Sequence, residues 1–457
     1  MSEVLDVAVV GGGIAGLSAA YELMQQGRRV RVLESTGRPG GVILTERFDG
    51  WTVDAGPDSL LTQKPAAVAL CRELGLTDRL HPTLKPRTSF VLRAGRLHQL
   101  VEGSFLGFPL SAMALARSSL FSWPGRIRMG LEPFIAKRTD NAEESIGAFV
   151  QRRFGHEAAA YLADPLLAGI HAGDADRLSA RALFPRLVGA EAKSGSVLRA
   201  FRQLRTAPSA DGAFVSLPGG TGELVERLVA ALPADTVACG VAVQSLGREG
   251  GAFVLSTSLG ETVRARAVIL AVPAYVAGQI LEGLDPDTAA LCRQVRYSST
   301  ATVALGYRRD QIRHPLNGSG FLVPKAEGSP LLAGTWVSSK WPGRAPEGHV
   351  LMRAFFGGGR DPRRLDQSDA ELTALAHEHM SRHSDISGPA LFSRIYRWTN
   401  RSPQFEVGHT ARVAAIEQGL ARIPGLFVAG SGFRAIGIPD CIADGRAMAA
   451  QAAQIGQ

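Results

Sequence analysis

The sequence predicts an α/β fold, α+β overall, that combines a parallel-sheet domain with an antiparallel sheet and a helical lobe. Three observations lead to this prediction. Residues 7–34 alternate between an apolar strand, a glycine-rich turn, a helix and a second strand. Residues 297–360 contain short strands of alternating polarity, which is typical of an antiparallel sheet. The 457 residues also exceed the length at which one hydrophobic core stops growing, so we expect at least one further lobe.

The first strand and turn predict a site for a dinucleotide. Residues 7–10 form an apolar run that indicates a buried parallel strand, and a helix is predicted from residue 14 to residue 26. Gly11, Gly13 and Gly16 follow the GxGxxG spacing, which lets the backbone approach a pyrophosphate at a helix N-terminus. Glu34 ends the second strand, where a ribose-binding acid is expected. We therefore predict a Rossmann-type domain rather than a purely structural glycine turn.

A second glycine pair indicates which dinucleotide binds. Arg38, Gly40 and Gly41 resemble the second fingerprint of two-dinucleotide-binding flavoproteins, in which the chain loops back over the FAD pyrophosphate. This likeness favours FAD over NAD and over a plain glycine turn. A Gly-Pro turn at residues 56–57 follows a hairpin-like segment, residues 43–53, and would bring backbone close to the flavin ring.

The predicted FAD-binding domain is discontinuous. A helix at 221–231 and strands at 237–246, 252–256 and 263–271 return the chain to the first sheet, and a strand at 426–429 enters a glycine turn before a helix at 440–450. A second sheet is predicted from strands at 301–307, 320–323, 331–337, 350–356 and 392–398, with a helix at 368–383. We predict an FAD-binding domain at 1–84, 216–296 and 403–457, a substrate-binding domain at 85–110 and 297–402, and a helical lobe at 111–215.

Composition limits the classes of function. The chain is 45% hydrophobic and 20% charged, which is typical of a globular protein. Its four cysteines lie far apart without CxxC spacing, which argues against a disulfide framework or a zinc site and fits a reducing cytoplasm. No signal-peptide pattern precedes residue 7, and no apolar run reaches the ~20 residues of a spanning helix. We expect a cytoplasmic protein, soluble or peripheral, without a bound metal; a homodimer is compatible with the sequence.

Most of the formal charge of +8 lies in residues 85–138, which hold nine basic and two acidic residues. Large apolar side chains are interleaved with the basic ones, as in a peripheral membrane surface or a route for a greasy, carboxylated substrate. A helical lobe with a solvated basic face is an equally good interpretation. Without a recognised binding motif, the charge gives no support for nucleic acid as a partner. Residues 194–211 are polar and predict a surface crossing.

More specific motifs lie further along the chain. They are Gly56-Pro57-Asp58-Ser59, residues 169–174 with 178–179, residues 403–405 with 408–409, and residues 437–442. Together with the glycine motifs they resemble the oxygen-dependent protoporphyrinogen and coproporphyrinogen oxidases, a branch of the monoamine-oxidase-like flavoproteins. The likeness covers nearly the whole chain. Residues 334–348 look closer to the bacterial coproporphyrinogen-oxidising members than to the mitochondrial enzymes.

The resemblance implies a set of binding residues. FAD would lie across the first domain, with Val241 on the adenosine side and residues 430–442 along the isoalloxazine. The implied cofactor-binding residues are Gly11, Gly12, Gly13, Ile14, Ala15, Gly16, Glu34, Ser35, Arg38, Gly40, Gly41, Gly56, Pro57, Asp58, Ser59, Val241, Gly430, Gly437, Ile438 and Pro439. A tetrapyrrole would lie over the flavin against Gly169, Leu322, Trp336 and Phe355, although each of these residues could instead belong to the core.

One departure from the family bears on the substrate. Protoporphyrinogen-selective members often carry a propionate-pairing arginine where this chain has Ser89. Arg87 could substitute from nearby. The departure modestly favours coproporphyrinogen III, which has more carboxylates, over protoporphyrinogen IX.

The implied chemistry belongs to the flavin. A hydride leaves a meso carbon for flavin N5, and O2 then reoxidises the flavin and gives H2O2. We assign no catalytic side chain: His171 and His409 are interpreted as ordinary hydrogen-bonded histidines rather than proton carriers, and Cys441 as a packed thiol. Alternatives are an amine oxidase, a carotenoid desaturase, or an interaction protein like the GDP-dissociation inhibitors. A nicotinamide dehydrogenase would need a second GxGxxG unit, which the sequence lacks.

Overall fold

A computed structural model of the protein describes residues 4–101, 104–105, 107–109, 111–203 and 212–455. Glu102 and Leu106 of the basic segment and residues 204–211 of the predicted surface crossing lie outside the described residues. The earlier part of that crossing was wrongly predicted, because Val197–Gln203 is a helix whose Val197 and Leu198 are buried.

The first sheet is built from three distant parts of the chain. Its strand order is Val237–Cys239, Val30–Glu34, Leu5–Val10, Thr262–Leu270, Ala252–Thr257 and Val243–Glu249, and Leu426–Val428 pairs with Thr262–Leu270. The four strands that run between Val237–Cys239 and Thr262–Leu270 are parallel, as is Leu426–Val428, whereas Ala252–Thr257 and Val243–Glu249 are antiparallel to their neighbours. The apolar run at residues 7–10 is buried, as expected of a central parallel strand.

Helices cover both faces of this sheet. One face packs against Ile14–Gln25, Pro65–Glu73, Gly222–Ala230 and Ile438–Ala452. The other packs against Ala274–Leu281, Pro286–Arg293 and His409–Ala421. The contact between Ile14–Gln25 and Ile438–Ala452 is close, since a methyl group at Gly445 would overlap the carbonyl of Ala15.

The second sheet has seven strands in the order Phe392–Gln404, Arg296–Arg308, His349–Gly357, Leu331–Trp336, Gly320–Leu322, Phe90–Arg93 and Arg96–Gln99. All neighbours are antiparallel except Gly320–Leu322 and Phe90–Arg93. Helix Asp369–Ser384 packs on one face. The opposite face packs against the hairpin Thr45–Phe48 and Trp51–Asp54 of the first domain.

A helical lobe separates Arg96–Gln99 from the return to the first domain. Its helices are Ala112–Arg117, Trp123–Gly130, Ile146–Phe154, His156–Ala158, Asp164–His171, Ala180–Leu183, Pro185–Ser194 and Val197–Gln203, with a π-helical turn at Ala159–Ala163. Short strands occur at Leu60–Leu61, His81–Pro82, Phe214–Ser216, Ser104–Phe105 and Phe108–Pro109, and a short helix at Val337–Lys340. Single 3-10 turns lie at Thr77–Arg79, Glu132–Phe134, Arg309–Gln311, Lys325–Glu327 and Pro362–Asp366.

None of the helices in the described part of the chain has the length and hydropathy required to span a membrane.

The α/β fold class with its antiparallel sheet is confirmed, and most predicted elements lie within one to three residues of the observed ones. Three predicted strands were wrong in extent. The strand predicted at 301–307 is Arg296–Arg308. The segment 237–246 is two strands, because the chain turns at Gly240, whose φ is 76°. The strand that begins at Phe392 continues to Gln404 beyond its predicted end at residue 398, pairing along Arg296–Arg308 past a bulge at Ser298.

Candidate cofactor and substrate site

The glycine turn after the first strand forms a cradle at the N-terminus of helix Ile14–Gln25. Gly11 has φ of 105°, and a methyl group there would overlap the carbonyl of Ala271. A methyl group at Gly16 would overlap the carbonyl of Gly11, so the helix lies directly on the strand end. A Cβ at Gly13, in contrast, would meet no protein atom within 4 Å. Two glycines therefore allow close packing, and the third leaves room for a ligand beside the helix N-terminus.

Glu34 lies against this turn. Its Oε2 accepts a 2.7 Å hydrogen bond from the Gly12 N–H, and its Oε1 accepts bonds from the N–H and hydroxyl of Thr36 at 2.8 and 2.7 Å. The Val241 N–H donates to the Glu34 carbonyl at 2.8 Å. The carboxylate, the glycine turn and the Val241 segment are thus brought together at one strand end, while Ser35 is exposed beside them.

The second glycine pair closes over the first. The Gly40 N–H donates to the Gly12 carbonyl at 2.7 Å, and a Cβ at Gly41 would lie 3.3 Å from the Gly13 Cα. Arg38 holds this loop, since its guanidinium donates to the carbonyls of Gly41 and Ile43 at 2.6 and 3.1 Å. The two glycine motifs therefore form one continuous backbone cradle.

The Gly56–Ser59 turn is tied to the second sheet by buried charges. Asp58 accepts hydrogen bonds from Lys340 Nζ at 2.8 Å and from Arg353 Nη2 at 2.6 Å. Burial alone would raise the pKa of Asp58, but the adjacent Lys340 and Arg353 cations hold it well below its usual range. The Ser59 hydroxyl also hydrogen-bonds to this carboxylate. Asp58 is therefore ionised and ties the turn to Lys340 and Arg353 of the second sheet and the helix beside it.

Two further backbone segments lie near the same cradle. A Cβ at Gly430 would lie 2.7 Å from the Cβ of Ala15, and the Gly430 N–H donates to Asp444 at 2.6 Å. Gly437 precedes the helix Ile438–Ala452, which has Pro439 in its first turn. A second helix N-terminus thus lies at the end of the Gly430 turn.

Leu322 and Phe355 lie on the same face of the second sheet. Strand pairing aligns Leu322 with Ala333 and Ala333 with Phe355. This face is opposite to the one that packs on helix Asp369–Ser384. A Cβ at Gly169 would lie 2.8 Å from Leu322 Cδ2, so helix Asp164–His171 stands over this part of the sheet. The structure therefore brings three of the predicted substrate residues to one location.

Trp336 is a wrong prediction. Its indole is fully buried on the opposite face, where it contacts His314, Phe90 and Phe321 and donates to Ser384 Oγ at 2.9 Å. Register explains this position, because Trp336 pairs with Met352, which belongs to the core under helix Asp369–Ser384. Trp336 is part of the core rather than of a substrate surface.

The predicted basic residue Arg87 lies against other groups. Its Nε donates to the Thr83 carbonyl at 2.9 Å, and a Cβ at Gly212 would lie 2.9 Å from the same nitrogen. Arg87 is exposed in this position.

The histidine motif connects several parts of the site. The His171 carbonyl accepts a 3.0 Å hydrogen bond from Gln404, which joins the 169–174 and 403–405 motifs. Burial, reinforced by the Lys64 cation, lowers the pKa of His171 to about 4. Its Nδ1 is buried without a hydrogen-bond partner among the described residues, which differs from the predicted hydrogen-bonded histidine. His171 is therefore neutral at pH 7.

His409 and Cys441 are packed among other residues of the protein. His409 Nε2 lies 2.9 Å from the Phe433 carbonyl, and the ring stacks on Phe405 at 3.8 Å, as an ordinary hydrogen-bonded histidine would. Burial lowers the pKa of His409 and raises that of the Cys441 thiol to about 12. Neither group is ionised at pH 7.

Sequence reasoning missed three residues at this site. Arg353 and Lys340 reach the Gly56–Ser59 turn from the second sheet, and the Tyr297 hydroxyl bonds to the Ser431 carbonyl and the Ala274 N–H. All three lie in segments that were recognised as strands or motifs. The chain pattern carries no signal for them, because their partners lie in other elements, 282 residues away for Lys340 and 295 for the Arg353–Asp58 pair.

Comparison with known proteins identifies the family. A profile of the flavin containing amine oxidoreductases matches residues 14–453. The coproporphyrinogen III oxidase of Bacillus subtilis (strain 168) is 32% identical over 460 residues, which cover 98% of this chain and 97% of the relative. Protoporphyrinogen oxidase 2 of Arabidopsis thaliana is 27% identical, with 96% and 92% of the two chains covered. A crystal structure from Exiguobacterium sp. 255-15, assigned as a protoporphyrinogen oxidase, has a TM-score of 0.87 and 28% identity over 99% of both chains.

The family membership and the backbone cradle agree on the cofactor. A flavin joined to a dinucleotide-type pyrophosphate site is FAD, so the predicted cofactor is confirmed. The resemblance to the porphyrinogen oxidases is likewise confirmed by the named relatives. The chain belongs to the flavin containing amine oxidoreductase family and is an FAD-dependent oxidoreductase similar to the porphyrinogen oxidases.

Proposed function

We propose that this enzyme uses FAD and O2 to oxidise a porphyrinogen to the porphyrin in heme biosynthesis, with coproporphyrinogen III as the favoured substrate. The observation that carries the proposal is the 32% identity to the coproporphyrinogen III oxidase of B. subtilis over nearly the full length of both chains. The absence of an arginine at Ser89 supports the choice of coproporphyrinogen III.

The proposed FAD site is the cradle of Gly11–Gly16 and Gly40–Gly41. The open side of Gly13 accepts the pyrophosphate, Glu34 and Val241 hold the adenosine end, and the Gly56–Ser59 and Gly430–Pro439 segments line the flavin. Ile14 and Ala15 begin the helix whose N–H groups point at the phosphates. In support, Gly430 lies against Ala15, Gly41 against Gly13 and the Gly12 N–H against Glu34, so segments from both ends of the chain meet in the structure.

The proposed substrate surface is the sheet face of Leu322 and Phe355 with Gly169 across from it. Its apolar side chains suit the faces of a macrocycle, and Arg87 is the proposed partner of a carboxylate. The domain division at 1–84, 216–296 and 403–457, with 85–110 and 297–402 for substrate and 111–215 for the helical lobe, is part of this proposal.

When bound, FAD would accept two electrons in each of the successive oxidations that convert the porphyrinogen to the porphyrin, and would pass each pair to O2, which leaves as H2O2. The chain's own residues position the substrate and shield it from water. Leu322 and Phe355 hold the macrocycle and exclude water from it, while Asp58, held by Lys340 and Arg353, keeps the Gly56 turn in place. His171 is neutral at pH 7, and its lowered pKa makes it a weak proton acceptor.

The decisive experiment is anaerobic reduction of the purified holoenzyme by coproporphyrinogen III and by protoporphyrinogen IX in parallel. We expect coproporphyrinogen III to bleach the flavin absorbance faster, and porphyrin to form in step. Bleaching by an amine or a carotene precursor with no reaction of either porphyrinogen would instead identify another oxidase of the family. A purified protein without flavin would contradict the proposal altogether.

An exposed apolar stripe in the helical lobe supports a second proposal, contact with the cytoplasmic face of a membrane. Met113, Trp123, Ile127, Leu131 and Phe134 are 46–79% exposed, and three of them recur every four residues on one side of helix Trp123–Gly130 and its end. Arg126 lies 4.6 Å over the Trp123 ring, and Arg117 and Lys137 are exposed on either side in sequence. Apolar side chains flanked by cations suit an anionic bilayer surface.

Flotation with vesicles tests this contact. Binding to vesicles with 30% anionic lipid, and its loss in the variant I127Q/F134Q, is the expected result. Equal binding of wild type to purely zwitterionic and anionic vesicles would remove the electrostatic part, and no binding to either would refute the contact. The variant L259Q is the matched control, since Leu259 is 62% exposed in a hairpin of the first sheet.

A further inference from the structure

The backbone from Asp54 to Asp58 is held in an unusual way. Each of its five consecutive carbonyls accepts a hydrogen bond from a side chain elsewhere in the protein. Asp54 and Gly56 bond to Arg353 at 2.6 and 2.9 Å, Ala55 bonds to Trp398 at 3.0 Å, and Pro57 and Asp58 bond to Thr221 and Ser216 at 2.7 Å each. A turn of this kind normally places several carbonyls in solvent. Here every carbonyl points into protein.

Arg353 makes more of these contacts than any of the other side chains named. Its Nη1 bonds to two of the carbonyls, and its Nη2 bonds to the Asp58 carboxylate at 2.6 Å. The side chain is only 4% exposed, so these bonds form away from water, where charge-assisted hydrogen bonds are strong. A planar guanidinium presents its N–H groups in a rigid fork that matches this fan of acceptors, whereas an ammonium group is a compact point charge without that fork.

The same guanidinium also contacts the proposed substrate surface. Arg353 and Phe355 lie on one face of the strand His349–Gly357, and the Arg353 Cζ is 5.2 Å from the centre of the Phe355 ring. One side chain therefore contacts both the Gly56–Pro57 turn and a residue of the sheet face that carries Leu322.

We propose that Arg353 is a positioning residue that sets the flavin ring and the macrocycle-binding face at a fixed separation. Trp398 acts in the same way from the neighbouring part of the sheet, through the Ala55 carbonyl. This inference rests on the proposed function, in which the turn lines the flavin and Phe355 faces the substrate. Hydride transfer depends steeply on such a separation, and a displacement of about 1 Å lowers the rate roughly 100-fold.

The test uses four variants of the holoenzyme, R353M, R353K, W398F and the control R394Q. Arg394 occupies the same row of the sheet, but it is half exposed and contacts Glu46 and Phe48 rather than the turn. Three quantities are measured: FAD stoichiometry, the visible circular dichroism of the bound flavin, and the anaerobic rate of flavin reduction against porphyrinogen concentration.

We expect R353M to bind FAD with an altered visible dichroism and a limiting reduction rate about 100-fold lower, while the half-saturating porphyrinogen concentration changes less than about threefold. R353K should recover part of the rate. W398F should also show altered dichroism, with a limiting reduction rate about tenfold lower, and R394Q should match wild type. The proposal would be overturned if W398F and one of the two Arg353 variants both had the dichroism and the reduction rate of wild type. If R353M does not fold, R353K and W398F decide the question.

The dichroism needs no substrate. If the wild-type holoenzyme oxidises neither porphyrinogen, the proposed function fails, whereas an altered flavin dichroism in W398F and R353K still supports the positioning role. If wild type is active and the variants have unaltered flavin spectra and rates, only the positioning role fails.

Discussion

Gly13→Val separates binding of the cofactor from folding of the chain. The Gly13 backbone has φ of −71° and ψ of 174°, an extended conformation that any residue adopts. A Cβ there meets no protein atom within 4 Å, in contrast to Gly11 and Gly16, where it would overlap a carbonyl. The protein alone therefore accepts a side chain at this position, and a pyrophosphate bound where we propose it would collide with that side chain.

The expected magnitudes follow from these contacts. Replacing glycine at a compatible position reduces the entropy of the unfolded chain and stabilises by about 0.4–1 kcal/mol, and loss of glycine at a helix N-cap costs about the same. The free energy of unfolding of the apoprotein should thus change by less than about 1 kcal/mol. Loss of two charge-assisted hydrogen bonds to a pyrophosphate bound there would cost about 3–6 kcal/mol, which is an affinity lower by roughly 100-fold to 10⁴-fold.

The assay measures FAD stoichiometry by absorbance and the unfolding of the apoprotein by denaturant. Gly37→Val is the control, because Gly37 lies in the adjacent loop, is exposed, and likewise has no protein atom within 4 Å of its Cβ position. Stoichiometric FAD in G13V would refute the placement of the pyrophosphate. An apoprotein destabilised by several kcal/mol would show instead that the glycine is required for folding.

Three further outcomes are expected. Burial lowers the pKa of His171 and of His383 to about 4, so below pH 6.5 the unfolded chain takes up protons that the folded protein does not. Tm measured by calorimetry should therefore fall from pH 6.5 to pH 4, and it should fall less steeply in H171Q/H383Q. Glu132→Gln breaks the fully buried ion pair with Arg153 and should destabilise the helical lobe by about 3–5 kcal/mol in denaturant unfolding, whereas E378Q, at an exposed pair with Arg382, should change it by less than about 1 kcal/mol. Trp336→Phe should lower stability by about 1–3 kcal/mol through loss of the Ser384 bond and leave KM unchanged, while F355A should raise KM for porphyrinogen; a raised KM in W336F would return Trp336 to the substrate surface.

The elements of the fold were predictable where local pattern decides them. The apolar run at residues 7–10, the glycine spacing and Glu34 are adjacent in sequence, and their mutual contacts follow from one strand, one turn and one helix. The break at Gly240 was missed because a single glycine between two β-branched segments gives only a weak turn signal.

The faces of the second sheet were not predictable from alternation. Both faces are buried, so polarity does not distinguish them, and a bulge between Leu331 and Ala333 changes the parity along that strand. Trp336 was placed on the substrate surface from the family resemblance, and it lies on the face opposite to Leu322 and Phe355. Arg353 and Trp398 were missed for a different reason, because their acceptors are carbonyls, which carry no sequence signature.

The contact between helices Ile14–Gln25 and Ile438–Ala452 has a consequence for synthesis of the enzyme. Arg28 donates to the carbonyl of Ala453, 425 residues later. The glycine turn and the first helix are therefore synthesised long before the helix Ile438–Ala452 that packs on them. At 5–20 residues per second, the apolar side of the first helix waits about 20–85 s for its partner. The helix Ile438–Ala452 can cover the first helix only after it has been made, so a chain that ends before residue 438 leaves the apolar side of Ile14–Gln25 exposed.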